Sequence, residues 1–436
     1  MSEDETAEER PAPATREAEP SSEQAAEADP ESADSPDETG SGEQVPVRRK
    51  RRTVRTAGKV ALSLVSVVAL AVTGYAFLTY HRVQNDVRTG DMLSVPEDAK
   101  TPPSDDGAVD ILLVGTDART DVQGNPLPLS VLKQLRTEQD AGLNTDTLII
   151  LRVPKNGGKP VATSIPRDTW IDVPRGGQAK INSVYGVAKA AAAQELRGRE
   201  DNAAVERDSD LAGRKALVQA VQDFTQVHID HYAEVNLLGF YLITNALGGV
   251  EVCLNHATED KDSGANFRAG LQTISGGDAL SFVRQRKNLP HGDLDRIARQ
   301  QAFLASALHK VLTAGTLTNP STMNSLLDAV SRSLAFDPGF DLLQLMEQAK
   351  GMATGDITFG TIPVITINGW SPDGKQSIVE VDPNAVRQYF AGLAKTAPAP
   401  STGGVAPAAY SVPVHENPVH QSPVHQNNIN GVECVN

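Results

Sequence analysis

The sequence is poor in the motifs that mark the common hydrolases. It has no HExxH motif for a zinc hydrolase, no GxSxG elbow for a serine nucleophile, and only two cysteines. Three histidines near the C-terminus, His415, His420 and His425, are equally spaced, but a Pro-rich coil does not provide a closed set of metal ligands. Serine, cysteine and zinc hydrolase chemistry therefore have no support in the sequence.

Aromatic residues are absent from residues 1–46, and the charge of this segment is strongly acidic. It carries fifteen acidic and two basic side chains, and so accounts for most of the formal net charge of −15. A segment of this composition cannot bury enough apolar surface to offset the entropy of ordering, so we expect a disordered tail. Because the rest of the chain is far less acidic, the net charge says little about the substrate.

A basic segment and a long uncharged segment follow this tail. Residues 47–59 contain seven basic side chains and no acidic one, whereas residues 60–80 contain no charged side chain. A helix of that length spans about 30 Å, the thickness of the hydrocarbon core of a bilayer. The positive charge on its N-terminal side predicts one transmembrane helix, with residues 1–59 in the cytoplasm and everything after Tyr80 outside the cell.

The exported part begins with a predicted stalk, residues 81–107, followed by three segments typical of buried strands. Val109–Asp117, Asp146–Val153 and Pro160–Asp168 are largely apolar runs, each with an aspartate at one end. Buried strands of this kind require a covered central sheet.

Helical patterns alternate with further strand patterns up to about residue 395. One of them, within LAGRKALVQAVQDF, places Leu217, Val218, Val221 and Phe224 on a single face. We therefore predict an α/β domain of mixed α-β-α architecture over residues 108–395, with a central mixed sheet flanked by helices. The Pro-, Ala- and Ser-rich segment after it, residues 396–436, is predicted to be a flexible arm.

The segment Gly369–Lys375 has the spacing of a phosphate-binding loop. However, Gln376 stands where that motif has its metal-binding Ser or Thr, and no helix pattern follows. The Pro-Asp-Gly sequence inside the segment is typical of a hairpin turn, so we predict a β-hairpin over residues 365–381.

The two cysteines, Cys253 and Cys434, both lie on the predicted extracellular side. An oxidising compartment favours a disulfide between them, which would fasten the end of the chain to the domain. Two unrelated thiols are the alternative, and residue spacing alone does not decide between them.

Acidic and arginine side chains recur at the ends of the predicted elements. Asp117 follows the first strand, Asp146 opens the second, and Arg167 closes the third. If these ends share one edge of the sheet, the side chains form a site for a pyrophosphate and a divalent cation, since arginine forks match phosphate oxygens. Ordinary surface Asp–Arg pairs are the alternative. The remaining candidates are Arg119, Asp168, Arg284, Arg286, Arg296, Arg299 and Gln300.

Several segments together resemble the LytR-CpsA-Psr family in its actinobacterial form, over roughly residues 108–395. The resemblance implies a mixed sheet between helices and a hydrophobic groove for a polyprenyl chain. It also implies a phosphotransferase that moves a glycan 1-phosphate from a polyprenyl-pyrophosphate carrier to peptidoglycan, with arabinogalactan as a plausible polymer. The matching segments are GTDART (115–120), NTDTLIILRVP (144–154), SIPRDTWIDVP (164–174), AKIN (179–182), LGGVEVCL (247–254) and ALSFVRQRKNLPHGDLDRIARQQAF (279–303).

Site roles follow from this resemblance residue by residue. Asp117 and Asp146 would hold Mg²⁺ or Mn²⁺, and Cys253 would pair with Cys434. Asn144 departs from the family, where many members have an arginine. The residues with implied catalytic roles are Arg167, Arg284, Arg286, Asp293 and Arg296, and those with implied substrate-binding roles are Arg119, Lys180, Arg299 and Gln300.

Two other functions are compatible with the same residues. A polyprenyl-pyrophosphate pyrophosphatase would use water in place of the peptidoglycan acceptor. A non-catalytic envelope-binding or regulatory protein is the other alternative, although residues 1–59 offer no helix-turn-helix for nucleic acid. The expected location is the cell membrane, with a single pass and the catalytic domain outside.

Overall fold

The computed structural model describes most of the chain after residue 87. The predicted tail (1–46), basic segment (47–59) and transmembrane helix (60–80) lie outside the described residues. Among the helices that the structure does describe, none is both long and apolar enough to cross a membrane. The described residues are 88–94, 102–121, 125–137, 143–155, 158–174, 176–198, 201–313, 319–331, 334–340, 357–395, 428–429 and 432–436.

The described residues form short and medium strands and eight helices. The strands are β1 (Arg88–Thr89), β2 (Ala108–Thr116), β3 (Thr145–Pro154), β4 (Val161–Ser164), β5 (Trp170–Asp172), β6 (Gln178–Lys180), β7 (His231–Val235), β8 (Val250–Leu254), β9 (Thr258–Asp260), β10 (Ala265–Phe267), β11 (Gly270–Ile274), β12 (Leu334–Phe336), β13 (Thr358–Thr361), β14 (Thr366–Trp370), β15 (Ser377–Glu380), β16 (Asn428–Ile429) and β17 (Val432–Val435). The helices are α1 (Leu129–Gln134), α2 (Ser183–Leu196), α3 (Asn202–Thr225), α4 (Leu237–Ala246), α5 (Gly276–Arg284), α6 (Asp293–Thr313), α7 (Pro320–Ser331) and α8 (Pro383–Lys395).

Seven strands form the main sheet, in the order β1-β12-β7-β2-β3-β4-β13. The central strand β2 pairs parallel with β7 and antiparallel with β3, and β4 pairs parallel with β13. The sheet is therefore mixed, and the prediction of a mixed α/β fold is confirmed.

Two of the three predicted strands match β2 and β3 closely, but the third is shorter than predicted. It ends at Ser164, and the chain turns at Pro166, whose carbonyl accepts a hydrogen bond from the Thr169 amide at 3.0 Å. Proline has no amide hydrogen to continue a ladder, so the strand stops before it. This turn carries Arg167 and Asp168 off the end of the sheet.

The main core lies on one face of this sheet. Side chains alternate along a strand, so Leu112 and Val114 of β2 point to the same side as Leu148 and Ile150 of β3. Helices α2, α3 and α8 pack on that side. The predicted apolar face of α3 is confirmed, because the core includes Leu217, Val218, Val221 and Phe224.

A second core lies between helices α4, α5 and α6 and a four-stranded sheet, β11-β8-β17-β16. In this sheet β17 pairs parallel with β8, so that Cys434 lies beside Cys253, and the two are joined by a disulfide. Helix α6 is also tied to the main sheet, because the Gln301 amide donates to the Ser164 hydroxyl at 2.9 Å.

Two boundaries predicted from the sequence were wrong in part. Within the predicted stalk, β1 pairs with β12 and Met92 is fully buried in the main core, so these residues belong to the domain. Within the predicted flexible arm, β16 and β17 form part of the second sheet. The apolar Met92 and the paired Cys434 explain why both segments pack instead of extending into solvent.

Candidate active site

Two carboxylates lie side by side at the end of the β2–β3 pair. Asp117 follows β2 directly, and its Oδ1 accepts a hydrogen bond from the Asn144 amide at 2.8 Å. The register between β2 and β3 shifts at this point: Gly115 opposes Thr147, but Thr116 opposes Thr145. Asp146 is thus the extra residue of a β-bulge, a distortion that often redirects a side chain beside an active site.

The two carboxylates interact with each other electrostatically. Burial, together with the negative charge of Asp146, raises the pKa of Asp117 from a usual value near 3.8 to about 6. The Asn144 amide and the charges of Arg119 and Arg284 oppose this shift. A cation bound between two partly buried carboxylates would stabilise their negative charges, so this pair is suited to bind one.

Arg167 lies among three carboxylates. Its NH1 donates to Asp146 Oδ1 at 2.5 Å, and its Nε lies 3.6 Å from Asp168 Oδ2. Burial works against the charged form of Arg167, but Asp146, Asp168 and Asp293 raise its pKa above the usual value. The side chain is only 12% exposed, so it is held firmly in the turn that follows β4.

Asp168 connects three cationic side chains. Its Oδ1 accepts from Lys180 Nζ at 2.8 Å, and its Oδ2 lies 3.6 Å from Arg167 Nε and 3.9 Å from Arg286 NH2. Burial alone would raise the pKa of Asp168, but the hydrogen bond from Lys180 and the charges of Arg167, Lys180 and Arg286 lower it below its usual value. Asp168 therefore stays negatively charged and fixes the cations around it.

Arg296, in the first turn of α6, lies close to Arg167 and Asp146. Its NH2 lies 2.6 Å from Asp293 Oδ1. Burial lowers the pKa of the Arg296 guanidinium; Asp293 and Asp146 oppose this, while Arg167 and Arg286 lower the pKa further, so all four are close enough to act on it.

The Asp293–Arg296 pair is buried but incompletely hydrogen-bonded. Neither oxygen of Asp293 accepts a hydrogen bond, and neither Nε nor NH2 of Arg296 makes one, so the close contact is an ion pair with poor hydrogen-bond geometry. Arg167 Nε also lacks a hydrogen bond. Buried polar groups without partners are rare in native proteins and often mark a site that a ligand completes.

Arg284 ends α5 at the edge of this group. Its NH1 reaches the carbonyls of Leu135 and Arg136, each at 3.4 Å. Burial lowers its pKa, whereas the charges of Asp146 and Asp117 raise it. Arg284 therefore lies within electrostatic reach of both carboxylates.

Two residues predicted to bind substrate, Arg119 and Gln300, make hydrogen bonds to other groups of the protein. Arg119 donates to the Thr137 hydroxyl at 3.1 and 2.7 Å, although it also lies near Asp117 and Arg284. The Gln300 amide donates to the Val283 carbonyl at 3.2 Å.

The prediction of a substrate-binding role for Arg299 is not supported by its position. It is fully buried, its NH1 donates to Gln285 Oε1 at 2.7 Å, and its Nε donates to the Asn436 carbonyl. Its guanidinium also lies over the Phe282 ring, at 5.1 Å from the centroid. Although it follows Arg296 by one helical turn, Arg299 fastens the last strand to α5 and α6.

Asp117 and Asp146 fit a divalent cation of the magnesium type. Mg²⁺ is commonly held by one or two carboxylates together with substrate phosphate oxygens. Across the described ranges, no group of three or more His, Cys, Asp or Glu side chains is arranged to hold a metal ion. The carboxylate pair therefore fits a cation shared with a phosphate ligand and does not form a closed protein cage.

The fold and the site together define a mixed α/β protein with a cluster of arginine side chains beside two carboxylates. The chain belongs to the LytR_cpsA_psr family, whose model matches residues 71–392. It is 45% identical over 356 residues to the cell wall biosynthesis protein LcpA of Corynebacterium glutamicum, covering 81% of this chain and 68% of that protein.

A more distant relative is the polyisoprenyl-teichoic acid–peptidoglycan teichoic acid transferase TagU of Oceanobacillus iheyensis. It is 29% identical over 302 residues, which cover 67% of this chain and 80% of that protein. Among solved structures, B. subtilis TagV superposes with a TM-score of 0.49 at 21% identity, covering 67% of this chain and 98% of that one.

Proposed function

We propose that the protein transfers a glycan 1-phosphate from a polyprenyl-pyrophosphate carrier to peptidoglycan. Membership in the LytR_cpsA_psr family and the transferase name of one relative support this reaction class. The observation that carries the proposal is Arg167, which is buried among three carboxylates while its Nε makes no hydrogen bond. Arabinogalactan is the polymer we favour, because the sequence resembles the actinobacterial form of the family.

The arginines would bind the donor through its two phosphates. Arg167, Arg284 and Arg296 lie within electrostatic reach of Asp146 from three different elements, so a ligand there meets cations from several directions. Planar guanidinium groups match phosphate oxygens in pairs, and phosphoryl transfer asks a protein mainly for such positioning and charge stabilisation.

Asp117 and Asp146 would hold the divalent cation, Mg²⁺ or Mn²⁺. When bound, the cation would neutralise charge on the phosphate oxygens of the donor. The two side chains contribute the carboxylate ligands, and Arg167 fixes the orientation of Asp146 through its hydrogen bond.

Asp293 is the residue we propose as proton acceptor. Its two oxygens accept no hydrogen bond in the structure, and a general base must accept one from the proton that it removes. The hydroxyl oxygen of the acceptor sugar attacks the sugar-side phosphorus while the bond between that phosphorus and the bridging oxygen breaks. Polyprenyl phosphate leaves with the bridging oxygen, and the hydroxyl proton passes to Asp293.

We also infer that residues 60–80 anchor the protein in the cell membrane and that the site lies outside the cell. The length and charge of the segment support this, although it lies outside the described residues. The Cys253–Cys434 disulfide is an independent support, because such bonds persist in oxidising compartments.

The test is a transfer assay with the full chain in detergent and Mg²⁺. A polyprenyl-pyrophosphate-linked glycan labelled in the sugar is supplied with and without peptidoglycan, and label is followed into the polymer. We expect label in peptidoglycan for the native protein. We expect the same for Arg207→Ala, a control for the loss of an arginine outside the candidate site, since the Arg207 side chain is 57% exposed. Label that appears only as free sugar phosphate would contradict transfer and identify a pyrophosphatase.

A further inference from the structure

The β5–β6 hairpin has one face in the core and one face outside it. In its register, Ile171 opposes Ala179, and Ile171 is buried in the main core. Opposed residues of an antiparallel pair share a face, so Trp170 and Lys180 lie together on the other side, as do Asp172 and Gln178.

The polar groups on this outer face are hydrogen-bonded in a row. Trp170 Nε1 donates to Gln178 Oε1 at 3.1 Å, and Gln178 Nε2 donates to Asp172 Oδ1 at 3.1 Å. Gln178 and Asp172 are exposed, and Trp170 is half-buried. The row therefore holds an indole ring in a fixed orientation at the surface, at little further cost in side-chain entropy when a ligand binds.

This combination of groups suits a carbohydrate. A sugar ring offers an apolar face of C–H groups and a rim of hydroxyls, which match an indole face beside an amide and a carboxylate. The Asp172 carboxylate does not suit an anionic polymer, and a single aromatic side chain is too small an apolar surface for a lipid.

The outer face continues directly from the candidate active site. Trp170 is the cross-strand partner of Lys180, and such partners have Cβ atoms about 5 Å apart. Lys180 donates to Asp168, which adjoins Arg167 in the sequence. A sugar chain bound along the hairpin would therefore lead to the phosphate-binding cations.

We propose that the outer face of the β5–β6 hairpin, formed by Trp170, Asp172 and Gln178, binds the glycan strand of the acceptor. This inference rests on the proposed function, because it names where the acceptor of that reaction docks. Trp170 packs against a sugar ring next to the one that receives the phosphate, and Gln178 and Asp172 bind hydroxyl groups of that strand.

The chain offers a matched control and a direct probe. It contains only two tryptophans, Trp170 and Trp370. Trp370 lies in the neighbouring β14–β15 hairpin and is 63% exposed, so it is even more accessible to solvent. Val379 of β15 pairs with Thr169, and Trp370 lies on the other strand of that hairpin, one strand further from β5. Replacing either tryptophan leaves the other as the sole indole fluorophore.

The first experiment measures binding without any transfer. Soluble peptidoglycan glycan strands are titrated into the full-length Trp370→Phe and Trp170→Phe proteins, and tryptophan emission is recorded. We expect a saturable change in Trp370→Phe, where Trp170 reports, and none in Trp170→Phe. A change confined to Trp370, or no change in either protein, would overturn the proposal.

The second experiment measures transfer kinetics with the same strands as acceptor. We expect Trp170→Ala to raise KM for the acceptor at least about tenfold, as for an aromatic anchor of an interface, and to leave KM for the donor unchanged. Trp370→Ala should change neither constant. A Trp170→Ala protein with an unchanged acceptor KM would contradict the inference.

The two experiments separate this inference from the proposed function. If the native protein transfers glycan but Trp170 does not respond to strands, the docking surface is wrong and the function stands. If Trp170 responds to strands but no transfer occurs, the surface stands and the transferase function fails.

Discussion

Two groups of charged side chains in this protein differ in how completely their hydrogen bonds are made. The first, which we name the core network, lies between α2, α3 and β7. Arg214 donates to both oxygens of Glu234, at 2.8 and 3.1 Å, and the Tyr232 hydroxyl donates to Glu234 at 2.7 Å. Tyr185 and Lys189 contact Asp210 in the same network, at 2.7 and 2.6 Å.

The candidate active site is the second group, and its hydrogen bonds are incomplete. Asp293 and Arg296 are buried in contact, yet neither oxygen of Asp293 accepts a hydrogen bond. A buried polar group without a partner costs about 1–3 kcal/mol, so a fold retains such groups only where something compensates for them. The complete bonds of the core network are those expected of a group that stabilises the fold, whereas the incomplete bonds of the candidate active site are those expected of a group that binds a ligand.

The largest effect on folding should come from breaking the core network. Glu234→Ala leaves Arg214 buried without its partner and should lower the free energy of unfolding by about 3–5 kcal/mol. Urea denaturation of the full chain in detergent, followed by circular dichroism, measures this change. Asp293→Ala is the comparison variant. It also leaves a buried guanidinium, that of Arg296, without its ion-pair partner, but it removes two oxygens that accept no hydrogen bond, so it should cost clearly less. An equal loss in both variants would remove the distinction between the two groups.

The largest effect on transfer activity should come from changes in the candidate active site. Arg167→Ala removes a guanidinium held among three carboxylates and should lower kcat for transfer by about 10²–10³-fold. The loss of stability should be smaller than in Glu234→Ala, because Asp168 keeps Lys180 and Asp293 keeps Arg296 as a partner. Arg167→Lys should restore only part of the rate, because an ammonium group lacks the planar fork. A transfer rate within a factor of two of the native rate in Arg167→Ala would show that this group does not act on the substrate.

Much of the fold was predictable because it follows from local patterns. The apolar runs of β2 and β3 and the apolar face of α3 can each be recognised from a short segment of the sequence. The hairpin of β14 and β15 was also predicted correctly, since its Pro-Asp-Gly turn is a strong local signal.

The site was predictable in its residues but not in its arrangement. Asp117, Asp146 and Arg167 could be named from their positions at strand ends, yet the bulge that redirects Asp146 depends on pairing with another strand. Asp168 stood in the sequence beside Arg167, but its role as the partner of Lys180 and Arg286 requires three segments to meet. Arg299 shows the converse error, because helical spacing placed it near Arg296 while its side chain reaches the last strand.

The smallest effect, and the finest test of the comparison, concerns Asp117. Its pKa in the folded protein is about 6, because burial and the charge of Asp146 raise it above the value near 3.8. Between those two pH values the folded state binds more protons than the unfolded state, so without a divalent cation the ionisation of Asp117 lowers stability as pH rises from about 4 through 6.

Asn at this position cannot ionise and can still accept the Asn144 hydrogen bond. At pH 7.5 in EDTA, the free energy of unfolding of Asp117→Asn should therefore exceed that of the native protein by about 1 kcal/mol, after allowance for partial exposure, and its thermal midpoint should be higher. The difference should be smaller at pH 5. Thermal denaturation at the two pH values, with and without Mg²⁺, measures the pH-dependent difference in stability and the stabilisation by the cation. Mg²⁺ should stabilise the native protein more than the variant. A variant that is less stable than the native protein at pH 7.5 in EDTA would mean that Asp117 contributes to folding in the way the core network does.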